Sequence, residues 1–378
     1  MDKFESKVIV SGIGLSAIGR SIDRSGTDLV LDAALDAIAD AGLQPNDIDG
    51  LASMPFGDRP PEEIADALGL QLDWMGGASS GAQLGVMINA AMAIASGLCR
   101  HVLLFRSVHR LGGLLGSATG ALPAADGPWE WHVPFHEYSA VNQIAMQARR
   151  HMHEYGTTKE QLGWVAMTCR RHAELNDQAV LRSAMTMDDY LCAPMISEPL
   201  GRLDCDLPVE GAVGLVLSAA DFAGDCRHPP VRLEAVGCAN HGPHGWEPRS
   251  DFPAMGAQDA AAQMWSRTDL KPADVRVAEL YDGFSILALS WLEALGFCAV
   301  GEAGAFVDGG QRIRLGGQLP LNTYGGQLSA GRLHGFWLFH EAVLQLRGQA
   351  GTRQVQGADV AVTSAGGGFR CGCILLTA

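Results

Sequence analysis

Two stretches far apart in the chain carry nearly the same phrase. Leu43, Pro45, Asp47 and Ile48 of LQPNDI have counterparts in Leu270, Pro272, Asp274 and Val275 of LKPADV. A helix-like segment precedes each copy, and further upstream each has a β-branched run, KVIVSGI at 7–13 and VRLEAVGCA at 231–239. Strand, helix, proline turn and strand, used twice, predict one duplicated α/β unit rather than two unrelated domains. The seam is expected in DFAGDCRHPP (221–230), which gives halves at 1–225 and 226–378. In the first copy Leu29, Leu31, Ala34, Leu35, Ile38 and Ala41 recur at helical spacing, with Gly42 placed to cap the end. In the second, Asp259 to Arg267 reads as the matching helix. Between about 106 and 199, glycine- and tryptophan-rich loops alternate with amphipathic helices, the pattern of an insertion covering the first half's site.

A chain of 378 residues, 47% hydrophobic and 18% charged, has ample material for a large core. Its net charge of -15 disfavours nucleic acid and anionic membrane, whose phosphates are held by lysine and arginine. The start, MDKFESKVIVSGIG, lacks a basic region followed by an apolar run of signal length, so a soluble cytoplasmic protein is expected. The nine cysteines are scattered without a C-x-x-C pair, which fits reduced thiols and no metal site.

Chemistry concentrates around WMGGASSGAQLGVMINAAMAIASGLCRHVLLF (74–105). Small residues open the segment, an apolar stretch follows, and HVLLF closes it as a buried strand. The order predicts a buried helix whose first turn offers free backbone N–H groups to an oxyanion. Ser79 or Ser80 as a nucleophile is the weaker alternative, because GASSG departs from the G-x-S-x-G elbow.

Four segments, in order along the whole chain, resemble the thiolases, including the sterol-carrier-protein type. Thiolases carry Cys-x-Ser/Thr-Gly at the start of a buried helix; here Ala78, Ser79, Ser80 and Gly81 align, with Ala78 at the nucleophile position. AELYDGFS (278–285) places Tyr281 where the family has His or Asn. NTYGGQLSAGRLHG (322–335) keeps Gly325, Gly326, Gly331 and Gly335, but Arg332 and Leu333 replace the His-Pro pair and Tyr324 fills a normally small position. TSAGGGFRCG (363–372) has Ser364 where the acid/base cysteine is expected. His334 lies two residues from the motif histidine and is not carried over as its equivalent. The resemblance implies a thiolase fold: duplicated βαβαβαββ halves in a five-layered αβαβα arrangement, with the inserted region as a cap.

With the vacated positions Ala78, Arg332 and Ser364, the thiolate, its base and the carbonyl-polarising imidazole of Claisen chemistry are gone. Backbone N–H groups at Ala78, Gly367 and Gly368 remain to bind a thioester enolate. Two phenols, Tyr281 and Tyr324, remain to move protons, although a phenol with its ordinary pKa of ~10 needs a lowered pKa or a relay to act as base. The pattern resembles the thiolase-like aldolases of bacterial steroid side-chain degradation. That resemblance implies retro-aldol cleavage of a 17-hydroxy steroid C22-CoA to a 17-keto steroid and propionyl-CoA. It further implies a homodimer bound to a small OB-fold acyl-CoA-binding protein, with no cofactor beyond the CoA of the substrate. The competing readings are an acyltransferase with an unusual nucleophile and a non-catalytic acyl-CoA or sterol carrier.

Two basic clusters, Arg149–Arg150–His151 and Arg170–Arg171–His172, are candidates for the CoA phosphates, with solvated helix faces as the more ordinary reading. WEWHVPFH (129–136) and NHGPHGW (240–246) lack zinc spacing and are expected to wall an apolar substrate site.

Overall fold

The computed structural model describes residues 3–54, 59–77, 82–109, 125–137, 139–241, 255–368 and 370–378. The first half runs β1 (Val8–Leu15), α1 (Gly26–Asp40), β2 (Gly50–Ser53), α2 (Pro61–Leu68), β3 (Trp74–Gly76), α3 (Gly85–Ala95) and β4 (His101–Val108). Helices α4 (Ala140–Tyr155), α5 (Lys159–Glu174) and α6 (Met187–Leu191) follow, then a small hairpin of β5 (Met195–Ser197) and β6 (Leu200–Gly201), and β7 (Gly211–Ala219). The second half comprises β8 (Val231–Asn240), α7 (Met255–Trp265), β9 (Val277–Glu279), α8 (Ser285–Ala294), α9 (Ala303–Val307), α10 (Gly335–Leu346), β10 (Val360–Gly366) and β11 (Arg370–Thr377).

The repeated phrase is visible in three dimensions. Pro45–Asp47 and Pro272–Asp274 each form one 3-10 turn, whose aspartate accepts the backbone N–H of Gln44 or Lys271 at 2.8 Å. Each turn delivers the chain into a strand, β2 or β9. The large sheet has the order β3-β2-β4-β7-β1-β8-β11-β10-β9. Read outward from its centre, both halves run first strand, last strand, penultimate strand, second strand, so one arrangement is used twice about a seam between β1 and β8. That seam is short: only Ile9↔Arg232 and Val10↔Val231 pair across it. Where the first half has β3 beside β2, the second half has a single parallel bridge, Ala278↔Leu321, beside β9. This reduced edge carries Asn322 and Tyr324 directly into the site.

Both faces of the first-half sheet are buried, so its strands are apolar throughout rather than alternating. Leu103, Phe105 and Val216 face Leu29, Ala33, Ile38 and Ile64 of α1 and α2, whereas Val102, Leu104, Leu215 and Leu217 face the main core. Gly12, Gly14 and Gly214 let α1 lie against this surface: a Cβ on any of them would fall 2.1 to 2.3 Å from a backbone oxygen of α1. In the middle, α10 packs on β9 and β10 of one half and on β1 and β7 of the other. Helix α7 covers β8 and β11 from outside. The layering is helix, sheet, helix, sheet, helix, as expected for the fold. All nine cysteines are free, and no helix among the described residues is long and apolar enough to cross a membrane.

The segment between β4 and β7 does more than cover the first half. Helix α5 packs against the 326–330 turn, α8 and α9, so it forms one wall of the second-half site. Its capping box, Thr158 with Gln161, starts it, and ten of its residues are buried.

Candidate active site

The loops that carry the family-like motifs meet at one place. A Cβ on Gly335, the first residue of α10, would lie 3.0 Å from Ala365 Cβ and 3.3 Å from Leu84 Cδ2; one on Gly366 would lie 3.0 Å from Ala82 Cβ. The approach to α3, the start of α10 and the β10–β11 hairpin therefore converge. Gly367 and Gly368 sit in that hairpin, Gly367 against Leu287 of α8. Ala78, Ser79 and Ser80 fall outside the described residues.

Tyr281 follows β9, and its backbone N–H donates to Ser364 Oγ at 2.9 Å. Ser364 thus fixes the tyrosine loop. The ring folds back over Gly283, where a Cβ would stand 2.7 Å from Cε1 and 3.2 Å from the hydroxyl oxygen. Burial raises the Tyr281 pKa above the ordinary phenol value; Asp206 and Asp282 push the same way, against the cations of Arg332 and Arg106. Its hydroxyl takes no hydrogen bond among the described residues.

Tyr324 is placed by Asn322, whose left-handed backbone (φ 52°) turns its side chain onto the tyrosine loop. Asn322 Oδ1 accepts from Leu280 N at 2.7 Å and its Nδ2 donates to Leu280 O at 2.9 Å, a side-chain imitation of strand pairing. Asn176 Nδ2 donates to the Tyr324 carbonyl at 2.8 Å. The ring leans on Trp337 with centroids 4.9 Å apart, and the hydroxyl is buried without a partner among the described residues. Burial raises this phenol's pKa well above the ordinary value, and Asp282, Glu279, Cys169 and Glu341 add to the effect. Asp282 acts electrostatically on both phenols. Neither tyrosine has the lowered pKa of a base; each is a phenol held neutral.

Acidic groups lie beneath the two tyrosines. Buried Glu279 accepts from Thr323 N at 3.0 Å and from Thr323 Oγ1 at 2.7 Å, while Glu341 is paired with Arg353 at 2.9 Å. Burial and the Glu341 charge raise the Glu279 pKa well above the carboxylate range. Asp282 accepts from Gln327 N at 3.0 Å and from Cys169 Sγ at 3.5 Å. Gln327 belongs to a π-helical turn, Gly326–Ala330, and both polar atoms of its side chain are buried without partners among the described residues. Gly326 is obligatory in that turn: its φ is 61°, and a Cβ would come within 2.1 Å of Asp282 Oδ2.

On the opposite side Arg332 bridges to Asp206 at 3.2 Å. Arg106 of β4, fully buried, donates from Nε and Nη2 to His334 Nδ1 at 3.3 and 3.1 Å. A guanidinium can only donate, so His334 Nδ1 is an acceptor and the proton resides on Nε2. Burial, with the charges of Arg106 and Arg332, depresses the His334 pKa far below its ordinary value and keeps the ring neutral. His334 occupies the N-cap of α10 at φ 55°, ψ -152°, an unusual backbone for a side chain to hold.

Several expectations need correction. The basic clusters are divided between surface and interior. Arg170 is buried and donates to Ser329 Oγ at 3.0 Å and to the Ser183 carbonyl at 3.2 Å; it braces the π-helical turn. The two cluster histidines are interior: His151 bonds Thr157 Oγ1 and Glu293, and His172 bonds the Leu321 carbonyl. Arg149 and Arg150 are exposed and paired with Glu198 and Glu154, and Arg171 lies over the Trp164 ring. Burial raises both phenol pKa values, so of the two routes by which a tyrosine could act as base the relay is the one compatible with this site. In the 129–136 segment Trp131 and Phe135 are three-quarters exposed, and His132 pairs with Glu137 at 2.9 Å. Of NHGPHGW, positions 242–246 fall outside the described residues. No motif or spacing in the sequence marks Asp206, Arg106 and Cys169; they become neighbours only when α5, β4 and the 205–209 loop pack onto the second half.

The family profile described as thiolase C-terminal domain-like matches residues 239–374. The chain is 35% identical to a steroid side-chain-cleaving aldolase of Thermomonospora curvata, over 97% of each protein. It is also 35% identical to a 17-hydroxy-3-oxo-4-pregnene-20-carboxyl-CoA lyase of Mycobacterium tuberculosis, over 97% of this chain and 98% of that protein. The solved Ltp2-ChsH2(DUF35) aldolase superposes with a TM-score of 0.90 at 33% identity, covering 99% of this chain and 98% of that one. The acetyl-CoA acetyltransferase of Syntrophomonas wolfei, at 18% identity and a TM-score of 0.70 over 98% of both chains, shares the fold.

Proposed function

Since the chain belongs to the thiolase superfamily, within its steroid side-chain-cleaving aldolases, we propose that it is a carbon-carbon lyase acting on a β-hydroxy acyl-CoA. The substrate is a 17-hydroxy steroid C22-CoA, and the products are a 17-keto steroid and propionyl-CoA. The mycobacterial relative, a lyase of a 17-hydroxy pregnene-20-carboxyl-CoA, supports that substrate class. The observation that carries the reading is the pair of neutral phenols, Tyr281 and Tyr324, both in the field of Asp282, the first where thiolases have His or Asn and the second at a position they keep small. Retro-aldol cleavage needs no covalent acyl-enzyme. It needs the hydroxyl proton removed, the thioester enolate stabilised by N–H groups, and a proton delivered to the enolate carbon. A neutral phenol suits the last step, and that delivery is assigned to Tyr324. Ala78, Gly367 and Gly368 are assigned to the thioester oxygen, and His334 Nε2–H is a further donor at the same convergence of loops.

The working protein is proposed to be a cytoplasmic homodimer that binds a small OB-fold acyl-CoA-binding partner. The solved relative, Ltp2-ChsH2(DUF35), joins two named components, which supports a heteromer. Incubating the full chain and that partner with a 17-hydroxy C22-CoA should yield the ketone and the shorter acyl-CoA. Tyr281→Phe and Tyr324→Phe should each abolish product, while Ser79→Ala with Ser80→Ala should leave turnover near the wild-type level. Trapping of an acyl-enzyme, or binding without cleavage, would support the acyltransferase or carrier readings instead.

A further inference from the structure

Neither phenol has the character of a base, so the substrate's hydroxyl proton must end elsewhere. One carboxylate, that of Asp206, acts electrostatically on the Tyr281 phenol. The backbone N–H of Asp206 donates to the Gly283 carbonyl at 3.0 Å, and Gly283 is the residue over which the Tyr281 hydroxyl is folded. The neighbouring residues are tied in as well: Leu207 N donates to Gln327 O and Arg332 N to Leu207 O, both at 2.8 Å. Asp206 is therefore fixed by backbone bonds to the tyrosine loop on one side and the π-helical turn on the other. Arg332 Nη1 holds its Oδ1 at 3.2 Å, and Oδ2 takes no hydrogen bond among the described residues. One oxygen oriented by a cation and one left free is the arrangement of a proton acceptor.

We infer that Asp206, oriented by Arg332, stores the proton of the cleavage, receiving it from the substrate hydroxyl by way of the Tyr281 phenol. The inference rests on the retro-aldolase reading and adds a positioning residue to it, since Asp206 acts through Tyr281. In the forward step, with substrate binding bringing phenol and carboxylate within hydrogen-bond reach, the substrate O–H bond breaks and its proton passes to the Tyr281 oxygen as the tyrosine's own proton moves to Asp206. The C–C bond then breaks, its electron pair forming the enolate while the alkoxide becomes the ketone. Tyr324 protonates the enolate carbon and regains a proton from solvent as Asp206 releases its own, so the cycle is proton-neutral. Charge around the acceptor supports the role. Burial pushes the Asp206 pKa up to about 6, with Asp282 raising it and Arg332 lowering it. Tyr281 faces it from the same loop as Asp282, Cys205 adjoins it with a thiol kept protonated by burial, and Arg106 and His334 lie beyond the phenol. An acceptor ionised just below neutrality is matched to a reaction run at neutral pH.

The test is the pH dependence of kcat/KM and of kcat for cleavage of a 17-hydroxy C22-CoA by the full chain with its partner. Wild type should lose activity as pH falls through about 6. Asp206→Asn should lower kcat about 100-fold or more with little change in KM and should remove that acid limb, while Asp206→Glu should keep a limb. Arg332→Met should move the limb upward by about one pH unit, because the cation that lowers the aspartate pKa is gone; this variant keeps the test decisive if Asp206→Asn does not fold. A limb that persists in Asp206→Asn, or that stays in place in Arg332→Met, overturns the relay. Absence of any cleavage by wild type would instead overturn the reaction assignment and the relay with it.

Discussion

Tyr324→Phe separates a catalytic phenol from a packing one, because the two roles predict opposite changes in stability. The wild-type hydroxyl is fully buried without a partner among the described residues, while the ring packs on Trp337. A hydroxyl left unpaired in the interior forfeits its bonds to water, at a cost of about 1–3 kcal/mol. Phenylalanine keeps the ring contact and removes that cost, so the variant should be as stable as wild type or more stable by about 1–2 kcal/mol. Such a gain would appear in equilibrium urea unfolding as a raised midpoint with an unchanged slope. Cleavage should nevertheless fall by about 100- to 10,000-fold, the usual contribution of a positioned proton donor. A group kept at the expense of stability is what a functional site contains. Two results would refute the reasoning: a midpoint lower than wild type, which would mean the hydroxyl is satisfied in the folded protein, or wild-type turnover.

Two further outcomes follow from the geometry. Gly283→Ala puts a methyl group 2.7 Å from Tyr281 Cε1, and the phenol must swing away; turnover should drop about 10- to 100-fold with the unfolding midpoint nearly unchanged, and full activity would show that Tyr281 need not lie over the glycine. His172 is held neutral, its Nε2 accepting from Leu315 N at 3.1 Å and its Nδ1 donating to the Leu321 carbonyl, and burial lowers its pKa from 6.5 to about 4. Because the unfolded chain takes up this proton first as pH falls, the histidine's contribution is whole above about 6.5 and is lost toward pH 4, by about 3 kcal/mol. His172→Gln, which keeps one donor and one acceptor, should lose that much less stability than wild type between pH 7 and 4; parallel curves for the two proteins would contradict it.

What the sequence determined on its own is what depends on neighbours a few residues apart. The proline turns at Pro45 and Pro272, the caps, the apolar strands and the glycine motifs each follow from local backbone chemistry, and their order along the chain was enough to place the fold. The absent cysteines, the serine at Ser364 and the tyrosines at Tyr281 and Tyr324 were equally legible, because a motif fixes where its variable positions fall. The electrostatic character of those positions was not. Whether a phenol is a base or an acid depends on how deeply it is buried and which charges are buried beside it. Here the deciding groups, Asp206, Arg332, Arg106, Asp282 and Cys169, come from β4, α5 and three separate loops. The same reason divided the basic clusters: Arg170, His151 and His172 read as exposed charge in sequence, yet packing carries them into the interior, whereas Arg149 and Arg150 stay on a solvated face. Desolvation is a property of the packed whole, so only the tertiary structure decided which residues hold a proton and which give it up.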